Sequence, residues 1–303
     1  MKWKKLGLLI DPERDLKTFK NTHAHMPMLE RVEKNIYRCY FTTRNAENVS
    51  SVRYALFDLL KPNEIIEISD ILYGPGKTGT FDDSGITPGC FVTNTDTEEE
   101  FFYYTGWNLT KKVPFNNSIG IAKKVGTEFF RIGDGPVMTR TLHEPYSCAS
   151  PFVLYESGIY RMWYASMDSW SENKEGGHTH FYNLKYAESK DGINWKRDRT
   201  VVINYENDQE YAFGRPYVLK ENNIYKMWYA YRGRSYKMGY AESEDGLKWT
   251  RKDQIVGISN SESGWDSEMI EYPYILKHNE DLYMFYNGNG YGESGIGVAI
   301  LDS

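Results

Sequence analysis

Apolar and polar positions alternate along this chain in short runs, and the runs recur. "SPFVLYESGIYRMWYAS" at 150–166 reads as two strands joined by a polar turn. The same order returns in "RPYVLKENNIYKMWYAY" at 215–231 and "YPYILKHNEDLYMFYNG" at 272–288. Short runs of this kind, rich in Tyr, Trp and Val, predict β-strands rather than helices. Aligned on the proline that opens each phrase, the units begin at Pro27, Pro88, Pro151, Pro216 and Pro273, at intervals of 61, 63, 65 and 57 residues. After each proline come an apolar run, a polar turn and an aromatic strand: "NIYRCYFTT", "EFFYYTGW", "GIYRMWYAS", "NIYKMWYAY" and "DLYMFYNGN". A third strand then ends near an alanine. In two units "KDGINW" or "EDGLKW" leads into a fourth. Asp-Gly supplies the positive φ of a tight hairpin, so these turns are read as structural.

Units of about sixty residues, each with room for four strands and no convincing helix, predict an all-β fold, a five-bladed β-propeller with four-stranded antiparallel blades. The fifth unit is one strand short at Ser303, and "WKKLGLLI" at 3–10 is the spare strand expected to close the last blade. The expected organisation is a single domain, 1–303, with blades at approximately 22–75, 80–138, 143–204, 209–259, and 265–303 plus 3–10. Residues 166–183 are expected to form a polar loop inserted into the third unit, lying over the channel mouth and offering Trp170 or a histidine to a ligand. Residues 105–117 are a smaller interruption of the second unit.

Charge and composition narrow the function classes. Lys plus Arg number 36 and Asp plus Glu 42, a formal charge of −6, without the basic stripe of a nucleic-acid binder. No apolar run approaches ~20 residues, so no membrane span is expected, and "LGLLI" is too short for a signal segment. Cys39, Cys90 and Cys148 cannot all pair with one another, which suits a reducing compartment, and a cytoplasmic location is expected.

In a propeller the innermost strands line the channel, and their starts meet at its mouth. The segments before the prolines are "THAHMP", "FDDSGITP", "HEPYSCASP", "QEYAFGRP" and "WDSEMIEYP". Four of them carry carboxylates, and the first carries histidines. Strand side chains alternate, so positions an odd number before the proline share a face. Those are Asp83 and Glu268 at minus five, and Glu144 and Asp266 at minus seven, with Tyr146, Tyr211 and Arg215 beside them. Any single one of these carboxylates is a turn cap or a solvated charge. Together they suggest a site, because gathered like charges shift pKa values and glycoside hydrolysis needs two carboxyl groups in different protonation states. The expected catalytic groups are Asp83, Glu144 and Glu268, with Asp266 and Glu210 next in line. The expected substrate contacts are His25, His143, Tyr146, Tyr211, Arg215, Glu271 and Trp170. His25, His143, His178 and His180 lack metal-ligand spacing, so neither a metal nor another cofactor is expected.

These residues carry a resemblance. Carboxylates at the inner-strand starts and the turns "SKDGINW" and "SEDGLKW" resemble the propeller glycosidases: the arabinanase/xylosidase, invertase/levanase and mannoside-phosphorylase families. "GTFDDSG", "HEPY", "EYAFGRP", "WDSEMIEYP" and "YNGNGYG" are similar to a bacterial glycosidase-like group, some of it encoded in surface-polysaccharide loci. The likeness spans nearly the whole chain. It implies a carbohydrate or nucleotide-sugar substrate and an enzyme that cleaves or transfers a glycosidic bond. The alternatives are a glycoside phosphorylase, with Arg215, Arg232 and Arg234 as phosphate contacts, and a sugar-binding propeller without catalysis. The sequence departs from the family pattern at the first blade. An Asp-Pro supplies the base in the arabinanase-like families, and here Met26-Pro27 stands in its place. Gly214-Arg215-Pro216 and Glu271-Tyr272-Pro273 only approximate the invertase motifs.

Overall fold

The structure, a computed structural model, describes residues 1–173 and 176–302. Strand β1 (Trp3–Ile10) comes first. It is followed by β2 (Thr22–Glu33), β3 (Ile36–Arg44), β4 (Ser50–Asp58) and β5 (Ile65–Ile68). Then come β6 (Gly85–Asn94), β7 (Glu99–Leu109), β8 (Phe115–Val125) and β9 (Glu128–Arg131), and β10 (Cys148–Glu156), β11 (Ile159–Glu172), β12 (His178–Ser189) and β13 (Val201–Ile203). The last are β14 (Tyr211–Glu221), β15 (Ile224–Arg232), β16 (Tyr236–Ser243) and β17 (Thr250–Arg251), and β18 (Glu271–His278), β19 (Asp281–Asn287) and β20 (Ile296–Leu301). Helix is confined to short turns such as Pro12–Asp15 and Asn289–Gly292. Among the described residues no helix is long and apolar enough to cross a membrane.

Three sheets have four strands each, in the orders β10-β11-β12-β13, β14-β15-β16-β17 and β1-β20-β19-β18. Strands β2 to β9 form one larger sheet, but its two four-stranded halves touch through a single parallel pair, Ser50 with Gly85. Gly85 permits that approach: its φ is +138°, and a Cβ there would lie 2.5 Å from the Ser50 backbone nitrogen. Within the four-stranded groups every ladder is antiparallel. The first strands β2, β6, β10, β14 and β18 lie against one another in chain order, and β18 returns to β2. The groups therefore surround a common channel. As expected from the sequence, β1 takes the outer position of the last group, from Trp3 opposite Leu301 to Ile10 opposite Ile296.

Local chemistry explains these elements. The recurring polar turns are two-residue hairpins with positive φ, at Ser157-Gly158 (52° and 78°) and Asn222-Asn223 (50° and 63°). The second strands are buried on both faces, as in Met162–Met167, because each sheet is packed on both sides. In the Asp-Gly turns, Asp191 Oδ1 accepts from the Ile193 and Asn194 amides, and Asp245 Oδ1 accepts from those of Leu247 and Lys248. Each turn then docks on the preceding sheet. Tyr103 donates to the Gly192 carbonyl at 2.7 Å, and Trp163 Nε1 to that of Gly246 at 2.9 Å.

One expectation is corrected here. The stretch 166–183 is not a loop but an extension of the β11–β12 hairpin, paired from Ser169–Phe181 to Glu172–His178. Residues 174 and 175 of that stretch lie outside the described residues. Trp170, Phe181 and Tyr182 give the hairpin apolar faces to pack, which a solvated loop would lack.

Candidate active site at the channel mouth

The inner strands share a backbone irregularity. Met26, Ser150, Arg215 and Tyr272 each precede the proline of their unit, and each has a left-handed φ, of 56°, 51°, 50° and 56°. The strand register skips at the same four places. Left-handed φ is uncommon outside glycine, and an extra residue in one strand acts as a β-bulge that reverses the alternation of side chains. Counting odd and even offsets back from the proline therefore fails. His25 and Glu271, both two residues before their prolines, are the polar side chains that become buried at the mouth.

Arg215 does not face a substrate. Its Nη1 donates to the Pro88 carbonyl at 2.5 Å and its Nη2 to that of Pro27 at 2.6 Å, so it pins two other inner strands from within the channel. Burial pushes its guanidinium down to about 10.

The recurring carboxylates have a different job from the one their spacing suggests. Asp82 is fully buried and accepts from Tyr104 at 3.1 Å and from Arg131 at 2.5 Å. Glu144 accepts from Tyr164 at 3.0 Å, Ser166 at 2.9 Å and Lys185 at 3.2 Å, with Arg197 3.5 Å away. Asp266 accepts from Tyr286 at 3.0 Å and Lys5 at 2.6 Å. Glu210 takes both arms of Arg251, at 2.8 and 3.0 Å. Arg251 also holds Asp253, the acceptor for Tyr229. The pattern repeats: a carboxylate, a tyrosine from the second strand and a cation from farther out in the sheet. Burial raises the Glu144 and Glu210 carboxyls, but Lys185 and Arg197 in one case and Arg251 in the other hold them below the usual range. The structure thus replaces the expected convergence of these groups with separate clasps. Asp83 accepts from the Gly79 amide and Ser84 Oγ, and Glu268 is exposed at the rim. His143 and Tyr146 are also exposed there.

The mouth itself holds a smaller set. Glu271 is completely buried, and neither carboxyl oxygen meets a donor. Burial raises its carboxyl well above the usual range, outweighing Tyr272 and Arg232. His25 is buried with both ring nitrogens unpartnered, and burial, reinforced by Arg44, keeps the imidazole neutral. Its ring meets Tyr272 edge-on at 4.9 Å. Tyr272 lies 6.1 Å from Tyr236, and Tyr236 lies 6.0 Å from Tyr291. Arg232 donates to the Tyr291 hydroxyl at 2.5 Å and lies over the rings of Tyr211, Tyr236 and Tyr291. Asn287, opposite Glu271 in the ladder, donates to the Ala24 carbonyl and accepts from the Met26 amide. It therefore fastens the strand bearing His25 beside the strand bearing Glu271. Buried polar atoms are rarely left unpaired. Here a carboxyl group and an imidazole are both left unpaired beside the aromatic ring of Tyr272.

Of the residues singled out from sequence, His25, Glu271 and Tyr211 belong to this set. Arg232, named from sequence only as a phosphate contact of the phosphorylase alternative, also belongs to it, whereas Tyr236, Tyr272, Tyr291 and Asn287 were missed. Arg232 lies in "YRGRSY", where it points inward while Arg234 is exposed. Among the described residues no group of three or more His, Cys, Asp or Glu is arranged to hold a metal. The far end of the channel opens into a cavity of about 400 Å³ walled by Phe152, Tyr217 and Tyr274, away from this chemistry.

Four-stranded antiparallel sheets around a channel make a β-propeller, and solved glycosidase-like propellers follow this chain closely. A glycoside hydrolase superposes with a TM-score of 0.75 at 19% identity, over 99% of this chain and 91% of that one. A thermostable family-43 glycoside hydrolase does so with a TM-score of 0.66 at 17% identity, over 92% and 89%. The chain belongs to the family of the uncharacterized protein Rv1502 of Mycobacterium tuberculosis (strain ATCC 25618 / H37Rv), with 38% identity over 306 residues and 100% of both chains. It is also 28% identical over 167 residues to the 1,2-beta-oligomannan phosphorylase of Thermoanaerobacter sp. (strain X514), across 52% of this chain and 56% of that protein. No family model matches.

Proposed function

We propose that this chain is a carbohydrate-active enzyme that breaks or transfers a glycosidic bond at the mouth of a single five-bladed propeller spanning 1–303. One observation carries the reading: Glu271 is fully buried at the channel mouth without a hydrogen-bond partner at either oxygen, in surroundings that raise its carboxyl and so favour the neutral acid. A carboxylic acid kept neutral at pH 7 is what a departing glycosidic oxygen requires as its general acid. In this reading Glu271 gives its proton to the leaving oxygen. His25, Tyr236 and Tyr272 accept or donate hydrogen bonds to sugar hydroxyls, and Arg232 stabilises the carboxylate left behind. The ring faces of Tyr211 and Tyr291 bound the sugar.

The identity of the attacking group separates two versions. Hydrolysis by this machinery uses a second carboxylate, yet Glu144, Glu210 and Asp266 are occupied by clasps. A single free acid with Arg232, Arg44 and His25 around it suits an external anionic nucleophile, so phosphorolysis is the second reading. The likeness to an oligomannan phosphorylase supports it.

The test is product release from a panel of glycosides and oligosaccharides, with and without inorganic phosphate. Glu271→Gln should cut turnover roughly a hundredfold or more while the thermal transition stays cooperative. Phosphate-dependent release of a sugar phosphate selects phosphorolysis, and phosphate-independent release selects hydrolysis. Sugar binding without turnover by the unmodified protein would leave a binding propeller in place of the enzyme.

A further inference from the structure

The hairpins joining second and third strands differ in reach. β11 and β12 have 14 and 12 residues, and β7 and β8 have 11 each, against 9 and 8 for β15 and β16 and 7 and 6 for β19 and β20. The mouth therefore has a high wall on one side and a low rim on the other. The two tall hairpins are joined by rings: Phe115 lies 5.3 Å from Trp170 and 5.8 Å from His180. Trp170 and His180 are cross-strand neighbours, with His178 and Tyr182 on the same face of β12. All but Tyr182 are half-buried. The strip leads back to the pocket, because Tyr182 is buried close to Tyr236 and His180 is close to Arg232. Beyond Met167, whose amide donates to the Ser147 carbonyl at 2.9 Å, the inner edge of β11 pairs with no strand among the described residues. From Tyr182 to His178 the strand covers roughly 13 Å at about 3.3 Å per residue, longer than one sugar ring.

We propose that this aromatic wall is a distal glycan subsite. Trp170, with Phe115 and His178, stacks on the sugar residues beyond the one held at Glu271, so the chain acts on oligosaccharides rather than on simple glycosides. The inference rests on the reading of the mouth as a carbohydrate site. It adds that binding strength grows with chain length. A half-buried ring held at a fixed angle can stack on sugar faces of varied identity. Burial lowers the His180 imidazole to about 4, so that ring is uncharged at neutral pH.

The experiment uses the full chain carrying Glu271→Gln, so that glycans are bound and not consumed. It is titrated on an array of mono- to pentasaccharides of the common hexoses and pentoses. Affinity should rise from disaccharide to tri- or tetrasaccharide. Adding Trp170→Ala should remove that rise, a loss of roughly five- to tenfold on the longer glycans. Monosaccharide binding should be unchanged, and Trp170→Phe should restore most of the gain. A loss of equal size at every length would mean that Trp170 only shapes the hairpin, and would overturn the proposal. So would affinity independent of length, or the absence of any array binding. Length-dependent binding to a protein whose Glu271 proves dispensable for turnover would sustain the subsite and remove the acid.

Discussion

The clasps around the channel and the pocket at its mouth contain the same residue types in opposite states. In the clasps every buried carboxylate has a tyrosine and a cation, as Asp82 has Tyr104 and Arg131. In the pocket neither oxygen of Glu271 accepts a hydrogen bond, although Tyr272 and Arg232 are close by, and both ring nitrogens of His25 are likewise unpartnered. The clasps recur from sheet to sheet, whereas the acid and the imidazole each occur once. A feature written into every repeat serves what every repeat needs, the anchoring of an incoming segment to its sheet. A feature present once is free to serve the ligand. Buried ion pairs break even at best against apolar packing, so the clasps specify geometry. The unpaired acid, which costs stability, marks the place where something else must bind.

The largest expected effect of breaking this contrast is on stability. Asp82→Ala takes the acceptor from the buried Tyr104 hydroxyl and from the half-buried Arg131, and should cost about 2 kcal/mol in chemical denaturation. Glu271→Gln in the same assay should cost little, since no partner is orphaned. Equal costs at the two sites would erase the distinction.

A second effect sharpens it through pH. Glu271 in the unfolded chain titrates near ~4.3, and its native value lies well above that. The native state then binds the extra proton. Stability is therefore full below about pH 4 and falls as pH rises toward the native value, by at most ~1.4 kcal/mol per pH unit. Glu271→Gln should abolish that slope. His25 acts with the opposite sign. It is neutral in the fold and titrates near ~6.5 when unfolded, so stability present above that pH is lost as pH falls below it, and His25→Asn should flatten the acid limb. Melting curves of the three proteins from pH 4 to 9 measure both. Parallel profiles would contradict the assignment of charge states.

The smallest effect compares two tryptophans one unit apart. Trp163 Nε1 donates to the Gly246 carbonyl, whereas Trp228 Nε1 is buried without an acceptor. Trp228 faces the last group, where β1 takes the outer place that an Asp-Gly turn and its following strand take elsewhere. Trp163→Phe should cost about 1 kcal/mol more than Trp228→Phe. Equal losses would show that the docked turn adds nothing.

The strands, the hairpins and the pairing of 3–10 with the strand ending at Leu301 were legible in the sequence, because alternation and turn chemistry act locally. The pocket was not. A left-handed residue before each of four prolines inverts the face that simple alternation assigns, so Glu271 was expected only as a substrate contact while Asp83 and Glu144 were gathered inward as the catalytic groups. Nothing in Met26 or Tyr272 announces a positive φ. Recurrence also misled, since carboxylates at equivalent positions look convergent, and only their tyrosine and cation partners, distant in sequence, reveal the clasps. One signal was available. At two residues before the proline the five units read His25, Ile86, Ala149, Gly214 and Glu271, and the two polar exceptions are the two groups at the mouth.

The central claim is that Glu271 is a neutral acid at neutral pH. Infrared difference spectroscopy between the unmodified chain and Glu271→Gln reads this directly. A carbonyl stretch of a protonated carboxylic acid should be present at pH 7, shift on deuteration, and vanish in the variant. A difference spectrum showing only carboxylate bands at pH 7 would contradict the account.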